Sequence, residues 1–406
     1  MIRSMFTAIS SLSAHKTYMD VVSDNIANVN TTGFKTSRAK FQSQMAELIS
    51  PGAAPTAEVG GMNPSQIGLG ARMTAITPNL NQGSLNATSR NTDMAVQGNG
   101  YFMYRNDTDI FYSRDGAARI DADGYLVNEA NGYFLQGWTA EDTGSGMVVD
   151  TSRPTGDIQL PLNTSQARAT ENATIGGNLD SSTAVGDSYD VTFGVYDSLG
   201  ALQNITLNFE RASDSDWDWT ASGTGVSGSG TVTFDTAGMF DSATANTVTV
   251  TGAGGASNTV FDLDFSSTTM LSSSNDASAT FQDGLAAGGF TSFKISNPTG
   301  MIYGLFTNGE QQLVGQVSLS SFVNPAGLER INQNMFMQGL NSGDPSVGEA
   351  NTGGRGSINS GYLEASNVDL AQEFTNMIIA QRGFQASSRV ITTSDEMLQE
   401  LVNIKR

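Results

Sequence analysis

Apolar residues recur every seven positions at both ends of the chain and every second position through its middle. Near the N-terminus Met5, Leu12, Met19 and Ile26 fall seven apart, with Ile9 and Val22 on flanking positions. Near the C-terminus Leu370, Met377, Phe384, Ile391 and Leu398 do the same, joined by Phe374, Ile378, Leu401 and Val402. A strict seven-residue repeat predicts helices that pack along their length. Ser366 and Asp369 fit a capping box ahead of the second run, so the pattern predicts a helix from about Asn367 to Ile404. At 1.5 Å per residue it would be roughly 55 Å long, more than a small domain is wide. Gln381, Ser388 and Asp395, with Lys16 and Ser23 at the front, are polar where a dimeric zipper prefers leucine. One narrow apolar stripe remains. It suits an antiparallel pair covering one end of a domain, and equally the wall of a packed tube.

The middle alternates. Tyr189, Val191, Phe193 and Val195 are separated by polar residues, Asp197-Ser198-Leu199-Gly200 turns the chain, and Leu202, Ile205, Leu207 and Phe209 follow. Trp217 and Trp219 alternate with Asp214, Asp216 and Asp218, the pattern of a strand with one buried and one solvated face. Thr231 to Phe234 and Phe261-Leu263-Phe265 continue the theme. A second β region is expected over about 71–145, with Asp121-Ala122-Asp123-Gly124 as a hairpin turn. The expected fold is mainly β with long α-helical termini.

Composition narrows the function. Forty acidic residues against 20 basic ones give a net charge of −20 over 406 residues, which argues against nucleic-acid binding. Residues 1–50 are slightly basic (Arg3, Lys16, Lys35, Arg38 and Lys40 against Asp20, Asp24 and Glu47), so the acidic excess belongs to the middle, where Lys294 is the only lysine between 51 and 361. With no Cys, no disulfide framework, thiolate metal site or cysteine nucleophile is expected. No stretch approaches the roughly 18 apolar residues of a membrane span. The first residues are too broken by Ser and Thr for a cleaved signal peptide.

Candidate chemistry fails on spacing. With Gly124 as the invariant glycine of a calcium loop, Arg119 and Ala130 would occupy the first and last ligand positions. Gly98-Asn99-Gly100 lacks a third glycine and leads into an apolar strand. The single histidine, His15, falls on an expected exposed helix face, a poor place for a catalytic base. No catalytic, cofactor or metal residue is assigned, and no enzyme activity is expected.

Longer motifs point elsewhere. The run from Val22 through Asn25, Asn28 and Asn30 to Gly33-Phe34-Lys35 resembles the N-terminal signature of bacterial flagellar rod and hook proteins. Gly361 to Ala371, containing Asn367 and Asp369, is similar to the family's C-terminal motif, as are Met377 to Ala386, containing Gln381, Arg382 and Gly383, and Thr392 to Leu398. Tyr112 to Gly116, Asp123 to Leu126 and Asn324 to Leu328 are similar to family segments inside the body. Rod members are short, whereas here a β region of roughly 140 residues is inserted, the layout of the hook members.

The resemblance implies a self-assembling subunit of a curved, flexible tube that transmits torque from rod to filament. It implies N- and C-terminal helices paired as a coiled-coil-like core domain, two β-rich outer domains, and export without a cleaved signal peptide through the flagellar export apparatus to an extracellular position on the flagellum. Implied partners are further copies of the chain, the distal rod protein, the hook cap and the hook–filament junction proteins; no cofactor, nucleic acid or membrane span is implied. The expected divisions are a helical core at 1–30 plus 365–406, a connecting segment at 31–70 plus 325–364, an inner β domain at 71–145 plus 285–324 and an outer β domain at 146–284. Two rival readings are a distal rod protein and a secreted β-rich adhesive or carbohydrate-binding protein.

Overall fold

A computed structural model describes residues 2–55, 60–143 and 146–404. The chain divides into two compact units, one of residues 1–159, 295–302 and 314–406, the other of residues 160–294 and 303–313.

The first unit contains both helices, α1 (Ile2–Ala27) and α2 (Leu370–Ile404). At 35 residues, α2 is about 52 Å long. It begins three residues later than its sequence predicts. Asp369 caps it, its Oδ1 accepting the backbone N–H groups of Ala371 and Gln372 at 2.9 and 3.2 Å. Asn367 stays outside the helix, its side chain accepting from the Thr36 N–H and donating to the carbonyls of Asn79 and Asn81.

Between α1 and the β body, residues 31–70, expected as a connecting segment, contain most of a long antiparallel ribbon. Strand Ser37–Ser43 pairs with Ala71–Pro78, strand Ala46–Ser50 with Ser65–Gly68, and Ala53 bridges to Met62. Neither face of its outer part is covered, so the period-two burial signal that marks a strand is missing there. The body of this unit is built on the hairpin Tyr101–Asn106 and Asp109–Ser113, flanked by Leu319–Ser321 on one strand and Met335–Met337 on the other. Tyr101, Met103, Tyr112, Phe322 and Phe336 form an aromatic core there. The turn at Asp121–Gly124 joins Ala118–Ile120 to Leu126–Asn128 as expected, with Gly124 at φ 90°.

The second unit contains two five-stranded sheets. One is an antiparallel meander of Ser188–Tyr196, Leu202–Arg211, Asp216–Ser222, Ser229–Phe234 and Phe240–Thr244. The other places Asn172–Asn178 parallel to Thr259–Thr269, with Ser278–Gln282 and Thr247–Val250 outside them. Their inner faces share one core in which Trp217, Trp219, Phe209, Phe261 and Phe265 are fully buried. The alternation read around the two tryptophans is therefore the register of a buried strand face.

Candidate assembly interface

The two helices run antiparallel, with Ser11 opposite Ser387 (Oγ to Oγ, 3.0 Å) and His15 opposite Gly383. The line of α2 buried against its own chain is Glu373, Ala380, Ser387 and Ser394. Its spacing is the expected seven, but its residues are mostly small. On α1 the buried residues are Ala8, Ala14, Val21, Val22 and Asn25. Small side chains let two helices approach closely, and Gly383 takes this furthest. A Cβ on Gly383 would fall 2.5 to 2.8 Å from the imidazole atoms of His15. His15 is thus half-buried in the helix pair, a correction to its expected exposed position.

The large apolar positions lie beside this line. Val22 is buried and Met5, Leu12, Met19 and Ile26 are half-buried, while Ile9 is exposed. On α2, Met377, Phe384, Ile391 and Leu398 are half-buried, while Leu370, Phe374, Ile378 and Leu401 are exposed. Ile378 is 57% exposed and Phe374 51%. From the Ser11–Ser387 register, the last turns of α2 pass the start of α1, and there Met397, Leu401, Val402 and Ile404 are all exposed. The ribbon adds Met45, 81% exposed, with Leu48, Ile49, Met62 and Ile67. Exposed apolar surface on this scale is the usual sign of a protein–protein contact site.

The signature residues at the end of α1 and just before α2 form a latch. Asn25 exchanges two hydrogen bonds with the backbone of Ser37, and Asn28 bonds back to Asp24 and accepts from Thr31. Gly33 takes φ 67°, and a Cβ there would fall 2.7 Å from the backbone nitrogen of Asp115, so only glycine fits. Its N–H donates to the Glu364 carbonyl at 2.8 Å. Phe34 is buried beneath the Arg330 guanidinium, 4.6 Å from its ring centre. Asn30, Gln381 and Arg382 are exposed.

Sequence reasoning missed the centre of the latch. Lys35 and Glu364, with side chains 3% and 0% exposed, form an ion pair at 2.6 Å. Lys35 also donates to the Asn81 carbonyl, Glu364 accepts the Gly83 N–H, and Arg114 approaches the other Glu364 oxygen at 3.6 Å. Burial pushes the Lys35 pKa down, against the opposing pull of Glu364. The available signal was a charged residue inside each terminal motif, Lys35 after Gly33-Phe34 and Glu364 after Tyr362-Leu363.

Four family models match the chain in succession: "Flagella basal body rod protein" over residues 5–35, "Flagellar hook protein FlgE/F/G D1 domain" over 95–176, "Flagellar basal body protein FlaE D2 domain" over 161–285 and "Flagellar basal body rod FlgEFG protein C-terminal" over 359–404. The flagellar hook protein FlgE of Borreliella burgdorferi is 36% identical, with all of both chains covered. The chain belongs to the flagellar rod and hook protein family. Another family member, the flagellar basal-body rod protein FlgG of Bacillus subtilis, is 29% identical, again with all of both chains covered. The crystal structure of Helicobacter pylori flagellar hook protein FlgE2 shares the fold at TM-score 0.50 and 16% identity, over 69% of this chain and all of that one. In this flagellar protein the first and last models fall on the helix pair and latch, and the middle two on the β regions.

Proposed function

We propose that the chain is the structural subunit of the flagellar hook, assembling into the curved, flexible tube that carries torque from rod to filament. The observation that carries this reading is the division of labour on the terminal helices. Small residues are used up within the chain, while Leu370, Phe374, Ile378 and Leu401 stay exposed and Met377, Phe384, Ile391 and Leu398 are only half-covered. Burying one such side chain contributes roughly 1.5–3 kcal/mol, so a dozen in the neighbouring copies would hold a subunit in place against its ordering entropy. The helical core, 1–30 plus 365–406, would line the tube, joined through the latch and ribbon to the β body of its own unit. The outer surfaces carry few charges and many hydroxyls, suited to wet and individually weak contacts that exchange as the tube bends.

The same reading places the chain outside the cell on the flagellum, exported uncleaved through the flagellar export apparatus. It would meet the distal rod protein at one end and the hook–filament junction proteins at the other, growing beneath a hook cap. Among the described residues no helix is long and apolar enough to cross a membrane. The family is structural, and the chain's role here is mechanical.

Electron microscopy of basal bodies from cells lacking the chain tests this. A complete rod without a hook is the expected image. A shortened rod would move the chain to the distal rod, and an intact hook would overturn the reading.

A further inference from the structure

A cavity of about 630 Å³ opens where α1, the first turns of α2 and the start of the ribbon converge. Its wall includes His15 and Tyr18 from α1, Arg38 and Phe41 from the ribbon, and Asp369 and Glu373 from α2. Two polar atoms of these residues are buried without a hydrogen-bond partner, His15 Nδ1 and Glu373 Oε2. Glu373 is only 9% exposed, on the most buried line of α2. A carboxylate oxygen held away from water and left unpaired is costly, whereas a charged donor makes it a strong contact.

The chemistry of the wall selects the occupant. A helix N-terminus by itself favours anions, but here Asp369 already accepts the first free N–H groups of α2. With Glu373 beside it, two acidic groups stand against one arginine, so the cavity suits a cation. Candidate cations lie on the opposite side of the same helix. Arg382 and Arg389 each follow a residue of the buried line, Ala380 or Ser387, by two positions, a turn of about 200° that carries them away from α1. Both are exposed, and among the described residues neither forms an ion pair, unlike most arginines of the β bodies.

We propose that Glu373 is the receptor for a guanidinium from α2 of a second copy of this chain, Arg382 or Arg389, which enters the cavity during assembly. The proposal rests on the assembly reading above and deepens it, adding a polar register contact to an apolar surface. Apolar stripes slide past one another with little penalty, and one buried charge pair fixes how far neighbouring helices are offset.

The test uses the purified full chain, with polymer formation followed by sedimentation over a range of salt concentrations and helix content by circular dichroism. Glu373→Gln is expected to keep the monomer's helix content, raise the critical concentration roughly tenfold or more, and flatten its salt dependence. Combining it with Arg382→Gln or with Arg389→Gln should add nothing further for whichever arginine is the partner. Two results would overturn the inference while leaving the hook reading intact: wild-type polymer formation by Glu373→Gln, or full additivity with both arginine variants. A wild-type chain that stays monomeric throughout would overturn the assembly reading and this inference together.

Discussion

The imidazole of His15 occupies the space that a side chain on Gly383 would need, with Cε1 and Nε2 at 2.5 and 2.6 Å from the position of a Cβ there. A mid-helix glycine ordinarily costs about 1 kcal/mol relative to alanine. Here the close approach of two helices outweighs that cost. Gly383→Leu is therefore expected to destabilise the helix pair by about 1–3 kcal/mol, the usual range for overpacking. His15→Ala in the same chain should recover part of the loss by making room. Thermal melting followed at the far-ultraviolet helix signal checks both. An unperturbed Gly383→Leu melt would show that the helices are not held this closely.

Ile378 provides the complementary experiment, because its side chain meets so little of its own chain. Ile378→Asp should leave monomer stability within about 0.5 kcal/mol, as surface substitutions generally do. Assembly should nevertheless be lost, since the substitution places a charge in a stripe that neighbouring copies must desolvate. Sedimentation of the polymer and urea unfolding of the monomer separate the two effects. Polymers of normal yield would remove Ile378 from the interface.

The contrast between these residues shows how far the helix pattern could be read. The seven-residue spacing was correct, and so was the pairing of the two terminal helices that the family resemblance implied. The line meeting the chain's own partner helix, however, is Glu373, Ala380, Ser387 and Ser394, not the large apolar set beginning at Leu370. Periodicity identifies stripes on a helix and cannot distinguish the stripe used within a chain from one kept for another molecule. Trp217 and Trp219 were legible because their strand has one dry face and one wet one. The ribbon strands between Ser37 and Gly68 were not, because much of their length has two wet faces in the single chain. The Lys35–Glu364 pair joins positions 329 residues apart, and no local pattern announces such a contact.

Acid should weaken the second unit through Asp283. Its Oδ1 accepts the N–H groups of Glu171 and Asn172 at 2.8 and 3.0 Å, and its Oδ2 accepts from the Asn172 side chain at 2.9 Å. Partial burial pushes its pKa up, but these donors outweigh burial and hold it below the usual carboxylate value. A carboxyl group with a depressed folded-state pKa contributes stability above its unfolded pKa and loses it as the pH falls through the folded one. Asp283→Asn should therefore lower the calorimetric transition of this unit at neutral pH. The difference from wild type should shrink below about pH 4, the unfolded value. A gap of constant size across that range would mean that the carboxylate charge is not what matters.

The latch predicts an asymmetry between its two charged residues. Removing Glu364 leaves Lys35 and Arg114 buried beside each other with no counter-charge, and breaking a buried pair in this way costs about 3–5 kcal/mol. Removing Lys35 leaves Glu364 still accepting the Gly83 N–H at 2.9 Å, with Arg114 at 3.6 Å, so part of its compensation survives. Glu364→Leu should therefore destabilise the first unit more than Lys35→Met, although both delete the same ion pair. The double variant should unfold at higher urea concentration than Glu364→Leu alone, since it removes one of the two stranded cations. Urea midpoints for the three chains decide the matter. Equal losses for the two single variants would show that Arg114 gives Glu364 no compensation and that the latch is a simple pair.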